Sequence, residues 1–398
     1  MNERRLRRMI LATAPPDEIG AQRRGWRVAR AAFGEREPTP WPIRHRRLLT
    51  AAAIGAAALL AAASPPGRAV IDGVRDAVGT EKVVGVSAPR TPPGPFRLPT
   101  EGRVLVAAPS GLWFVSAAGR RRRVGEYDEG TWSPNARVVG ASRRHQLAAV
   151  TPRGQVRWTL ARPRVRAPRW SQSGFRIAYL SGSNLRVVDA DGSRDRRLGA
   201  AQNVAPAWRP GVEHVLAYAD RSGTVTVTSA NDGATQWTAA GSAASPSQLE
   251  WSADAERLLV VRNLEEGRLA LAVFDGDGRR LQYLELPGVP IEAAFSPSDH
   301  RIALIRRVGP RSELLVIESD ALRRQTLVFS GQGRFSDVAW SPDGRWLLLG
   351  WQSADQWLFI RSADVSKVSA VSSLAVQFKP RRTSGGGFPR IEGWCCPG

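Results

Sequence analysis

Several chemically versatile residues are scarce in this 398-residue chain: 2 cysteines, 2 methionines and 4 histidines. The cysteines are adjacent, Cys395 and Cys396, so neither a disulfide framework nor a zinc site can be built from them. The spacing favours two thiols, because the Cα separation usual across a disulfide exceeds what one peptide bond spans. An intermolecular link, a strained ring between the neighbours, and a redox role for the pair are the alternatives. The histidines, His45, His145, His214 and His300, are far apart and none has metal spacing. No Gly-x-Ser-x-Gly elbow occurs, and "SGGGFPRIEG" (384–393) lacks the Lys-Ser/Thr of a phosphate loop. "DADG" (189–192) and "DGDG" (275–278) lack the downstream glutamate of a calcium loop and read as hairpin turns. These absences predict no catalytic residues, no metal site and no cofactor, hence a non-catalytic protein.

Acidic charge is also short. The chain carries 57 Lys plus Arg against 36 Asp plus Glu, a net of +21, and nearly all the positive charge is arginine. An Arg- and Ala-rich, Lys-poor composition suits a high-G+C genome. The excess is uneven. Residues 1–47 hold 12 Arg against 5 acids, and residues 101–200 hold 19 against 7. From 201 onward 21 basic residues balance 21 acidic ones. A local surplus of this kind attracts anionic polymers, lipid heads or acidic proteins.

Long apolar runs are absent with one exception, "LLTAAAIGAAALLAAA" at 48–63. Sixteen uncharged residues rise about 24 Å as a helix, near a membrane span. The preceding "RHRR" (44–47) places the N-terminus inside and everything after 64 outside. A retained anchor is the leading reading. A signal cleaved after the Ala-x-Ala at 61–63, a twin-arginine signal at Arg46-Arg47 and a buried soluble helix are the rivals. The chain then divides into a basic cytoplasmic segment with a short amphipathic helix (1–47), the transmembrane helix or signal anchor (48–63) and a Pro-rich stalk (64–99). A folded domain occupies 100–398. The location implied is the bacterial cytoplasmic membrane, crossed once, with the large domain outside.

That domain is repetitive. An aromatic residue followed by turn residues recurs as "TWSPN", "RWSQSG", "AWRPG", "EWSAD", "AFSPSD" and "AWSPDG". The aromatics are Trp132, Trp170, Trp208, Trp251, Phe295 and Trp340, spaced by 38, 38, 43, 44 and 45 residues. A period near forty, with short alternating strands and Asp-Gly or Asn-Gly turns, marks β-propeller blades. The first unit, 102–127, lacks its aromatic strand, and "PRIEGW" at 389–394 supplies one, with Trp394 as the seventh anchor. The expectation is an all-β, seven-bladed propeller closed by its C-terminal strand, or six-bladed if 102–127 is an irregular cap. The seven aromatics are read as blade-to-blade core anchors.

The "WSPDG" of Trp340–Gly344, followed by "RWLLLG", resembles the WD-like repeat of TolB-type propellers. That resemblance implies binding to proteins or envelope components without a cofactor. The layout of basic segment, single helix and outer domain also resembles membrane-bound anti-sigma regulators. "TPRGQVRW" (151–158) and "SANDGATQW" (229–237) resemble the Gly-x-x-x-Trp docking motif of quinoprotein-type blades. The predicted function is therefore an extracytoplasmic, membrane-anchored binding scaffold, with an envelope-signalling protein or a channel-based propeller enzyme as alternatives. The contact candidates are Arg120, Arg121, Arg122, Arg123, Arg143, Arg144, Arg164, Arg166 and Arg169, facing a protein or an anionic envelope component. Export and sparse stacking aromatics argue against nucleic acid.

Overall fold

The computed structural model describes residues 97–212, 214–239, 244–378 and 387–396. The basic segment and the apolar run at 48–63 lie outside these residues, as does the stalk up to 96. Among the described residues no helix is long and apolar enough to cross a membrane.

Blade 7 shows how the repeat becomes structure. Its strands are Phe335–Trp340, Trp346–Trp351, Gln356–Arg361 and Asp364–Ser372, paired antiparallel in that order. The Ser-Pro-Asp-Gly between the first two strands is a hydrogen-bonded knot. Ser341 Oγ donates to Asp343 Oδ1 and accepts from the Trp346 amide at 2.9 Å, while the Arg345 amide donates to Asp343 Oδ1 at 3.1 Å. Gly344 completes the turn at φ +66°, a left-handed conformation that costs glycine nothing. Hydrogen bonds from Ser341 and the Arg345 amide outweigh burial and hold the Asp343 carboxyl below its ordinary value. The same Ser-to-acid knot recurs at Ser252–Asp254, and at Ser133–Asn135 with an amide in place of the acid.

Seven four-stranded sheets of this kind are present. Six are consecutive in sequence, and their inner strands are Glu129–Trp132, Val165–Trp170, Ala207–Trp208, Pro246–Trp251, Val289–Phe295 and Phe335–Trp340. These head blades 2 to 7. Blade 1 is composite: Arg390–Cys395 pairs antiparallel with Arg103–Ala108, with Trp394 opposite Val104 and Ile391 opposite Val106. The C-terminal strand closes the ring, as the sequence predicts, and removes two open sheet edges. Leu98 belongs to the fold: its amide donates to Ala117 O at 3.0 Å and its side chain is buried.

Each sheet is apolar on both faces and buries them against its neighbours. The core is seven clusters, one at each junction. Every anchor aromatic packs toward the preceding blade: Trp132 with Leu105 and Leu112, Trp251 with Val215 and Val227, Trp340 with Ile305 and Leu314. Trp394 sits with Leu348 and Phe359 of blade 7. Trp170 is half-buried at the blade 2–3 junction.

The Gly-x-x-x-Trp pieces also join blades. Trp158 Nε1 donates to Ala190 O at 2.7 Å, and Trp237 Nε1 to Gly276 O at 2.9 Å, each reaching the next blade's outer turn. Gly278, at φ +89°, lies under the Trp237 ring, where an added Cβ would sit 2.6 Å from it. Gly278→Ala is expected to cost about 1–3 kcal/mol, read from the urea midpoint. Gly211→Ala, at φ +64° with nothing within 4 Å, measures the backbone share alone and should cost less.

The cysteines differ from the favoured expectation. Cys395 and Cys396 are joined as a vicinal disulfide, Cα atoms 3.7 Å apart, rather than standing as two thiols. In a regular strand neighbouring side chains point to opposite faces. Here Cys396 leaves the strand with φ +54°, which turns its sulfur back toward that of Cys395.

Candidate functional site

The inner strands run side by side around an axis, so equivalent positions on successive blades form rings. Counting back from the anchor, the third residue is Glu129 in blade 2, Gln248 in blade 5, Glu292 in blade 6 and Asp337 in blade 7. In blade 1 a bulge between Leu105 and Val106 shifts the register, and Glu392 serves instead. Blades 3 and 4 carry Ala167 and Ala205 there.

These side chains hook each blade to the next. Glu129 Oε2 accepts from the Ala167 amide, Gln248 Oε1 from Ala293 (2.8 Å), Glu292 Oε2 from Val338 (3.3 Å) and Glu392 Oε2 from Gly130 (3.3 Å). Asp337 accepts in the same way from the Ile391 amide across the closing junction. Each acceptor takes an inner-strand amide that no strand pairs on the axial side.

With Arg169 and Arg390, these residues line a cavity of about 440 Å³ at one end of the axis. A second cavity of about 450 Å³ shares Arg169, Gln248 and Glu292 with it and reaches the anchor aromatics Trp170, Trp208, Trp251, Phe295, Trp340 and Trp394. The axis therefore has a charged end and an aromatic end, and Glu250 stands in the aromatic part.

Burial dominates the acids at both ends of the axis. It pushes Glu250 up to about 8, against the Phe295 amide and Arg169, which favour the charged form. Glu392 rises to about 7, with burial the main cause, opposed by Arg390 (2.9 Å away) and Arg169. Asp337 rises to about 6, again through burial, opposed by Ser336, the Ile391 amide and Arg390. Glu292 is raised well above its ordinary value: burial acts first, then repulsion from Asp337, with Glu392 and Glu250 adding to it and the Val338 amide opposing. Among the described residues no three His, Cys, Asp or Glu side chains come together as a metal site.

The predicted arginines fall into two places. Arg120, Arg121, Arg122 and Arg123 lie on or beside the outer strand Arg121–Gly125 of blade 1. Arg143 and Arg144 lie at the hairpin between Val139–Arg143 and Gln146–Val150 of blade 2. Glu126 bridges the groups, with Arg123 and Arg143 each 3.4 Å from it. Arg144 O accepts the Val165 amide at 3.0 Å, which brings Arg164 and Arg166 of blade 3 alongside. Arg120, Arg122, Arg143, Arg144 and Arg164 are exposed. Arg121 hydrogen-bonds Gln377, Arg123 donates to Ser110 O and Arg166 to Gly182 O, so these three are partly structural. Arg169 does not join them; it faces the axis.

The sequence reading missed the channel carboxylates. Their signal is the motif acid, then one or two residues, then anchor: "EGTW", "EAAF", "DVAW" and "EGW". The turn carboxylates at the candidate calcium loops are engaged locally: Asp189 by Arg194, Asp191 by Ser193 and Asp275 by Arg279.

No known family's profile matches the chain, and no curated protein does. Solved structures do resemble it. A β-propeller domain of Cps50 (Swd1) from Myceliophteria thermophila aligns with TM-score 0.51 at 13% identity, over 62% of this chain and 86% of that one. A chain of a mitotic checkpoint complex aligns with TM-score 0.54 at 16% identity, over 69% and 96%. Kuenenia stuttgartiensis hydrazine synthase aligns with TM-score 0.50 at 14% identity, over 59% and 76%. The likeness is one of fold. The chain is a seven-bladed β-propeller.

Proposed function

We propose that the protein is a membrane-anchored, extracytoplasmic scaffold of TolB-like type that binds an anionic envelope component or acidic protein through blades 1 to 3, without catalysis. The observation that carries this reading is the meeting of two arginine groups from consecutive blades on one sector through Glu126. The apolar run at 48–63 and the arginines before it support the anchor and its orientation.

The test uses the full chain. Arg120→Glu, Arg122→Glu and Arg144→Glu together replace exposed arginines that support no side-chain contact described above. Wild-type protein should capture a partner from envelope extracts at low salt and release it as screening rises. The triple variant should lose at least about tenfold in retention, since three charges reverse sign within roughly a Debye length of the bound surface. Equal capture by the variant at low salt would overturn the reading. Protease access to the propeller in spheroplasts, with the 1–47 segment protected, checks the orientation independently.

A further inference from the structure

The axial cavity gathers acids whose charged form burial disfavours. Glu392 has Arg390 at 2.9 Å, and both Glu250 and Glu392 feel Arg169. Among the described residues no arginine forms an ion pair with Glu292, and repulsion from Asp337, Glu392 and Glu250 adds to its burial. Asp337, on the neighbouring inner strand, is 7% exposed and lines the cavity, and its Oδ2 has no hydrogen-bond partner among the described residues. A buried acceptor without a donor is costly, and although Arg390 acts on Asp337, no described residue donates to Oδ2. The missing element is a donor bearing positive charge.

Geometry narrows the ligand. Among the described residues no cluster of carboxylates is gathered tightly enough to coordinate a metal ion. The cavity, about 440 Å³, is of small-ligand size, and at Glu292 it meets the aromatic end of the axis. An ion with a charged head and an apolar body matches both ends, because the anchor rings lining the second cavity offer apolar surface, while Arg209 and Arg301 already stand over Trp251 and Trp340 as cations. We propose that the axial channel is a binding site for a primary ammonium group, its head between Glu292 and Asp337 and its apolar stem toward Trp251 and Trp340. This site is separate from the arginine sector, so failure of either reading leaves the other standing.

The shared chemistry, an alkylammonium, is offered by a free amine or by a lysine side chain. Full-length protein is titrated with n-hexylammonium, with n-hexanol as the neutral counterpart, and with a short acetylated, amidated glycine peptide bearing one lysine. Calorimetry and tryptophan emission serve as readouts. Hexylammonium is expected to bind saturably and to shift the emission, and hexanol at least about tenfold more weakly. Binding should also release protons, seen as a dependence of the heat on buffer ionisation, because Glu292, Asp337, Glu250 and Glu392, which face Arg169 and Arg390, ionise more fully beside the added cation.

Glu292→Gln and Asp337→Asn preserve an acceptor for the Val338 and Ile391 amides, and each should weaken binding by about tenfold or more. Glu256→Gln, on the exposed surface, should leave it unchanged. Tighter binding of the peptide would identify a lysine-bearing partner, and equal or weaker binding a free amine. Equal affinity for hexanol and hexylammonium, no saturable signal, or undiminished binding in both channel variants would overturn the proposal. If a variant fails to fold, buffer-dependent proton release by the wild type still decides, and its absence counts against the site.

Discussion

Trp394→Ala is expected to destabilise the protein by about 3–5 kcal/mol, the range for truncating a buried aromatic, seen as a lowered urea midpoint. Trp394 is 7% exposed, and its ring lies edge-on to Phe359 of blade 7 at 5.8 Å. Its Nε1 has no partner among the described residues, so the substitution leaves no acceptor stranded and the loss is packing. Other anchors have similar burial, but Trp394 also sits in the strand that joins the chain's two ends. Loosening it should speed hydrogen exchange at Arg103–Ala108, its pairing partner, before exchange rises in blades 3 to 5. Trp170→Ala, at a half-buried anchor, should cost less and leave that exchange pattern unchanged. A Trp394→Ala protein with wild-type stability would mean that closure does not depend on this contact.

The closure was legible in the sequence because it is a matter of counting. Six aromatic-plus-turn signals leave the first unit one strand short, and "PRIEGW" has the alternation and the aromatic to complete it. The turns were legible for a similar reason: Ser-Pro-Asp-Gly encodes its own hydrogen bonds through Ser341 and Asp343. The channel was not read, although it lies in the same repeat. An acid three residues before an aromatic looks like an ordinary polar position of an alternating strand. Only ring closure turns Glu292, Asp337 and Glu392 toward one another from strands roughly 45–100 residues apart. Arg169 was misjudged by the same route, since its neighbours Arg164 and Arg166 precede the point where the strand turns to the axis. The cysteine pair depended on a single backbone angle, the positive φ of Cys396, which composition and spacing do not encode.

Stability should fall as pH rises through neutrality, opposite to the usual behaviour of carboxylates in ion pairs. Glu250 lies at about 8 in the folded chain against 4.5 unperturbed, Glu392 at about 7 against 4.5, and Asp337 at about 6 against 3.8. In each case burial is the leading cause, and the native state holds more protons than the unfolded one. Their stabilising effect is complete below the unfolded values and is lost progressively up to the folded ones, a window from about pH 4 to 8. Ion-paired carboxylates act in the opposite sense. Burial opposes the charge of Asp195 and Asp254, but hydrogen bonds and nearby cations hold both below their ordinary value, so their contribution fades only in more acidic solution. The maximum is therefore expected near pH 4–5, with several kcal/mol lost by pH 8.5. Glu250→Gln keeps an acceptor for the Phe295 amide and removes the ionisation. It should raise the urea midpoint at pH 8.5 while changing little at pH 5, and so flatten the slope between them. An unchanged slope in this variant would show that water reaching Glu250 along the axis already solvates its charge, and that the channel is wetter than its walls imply.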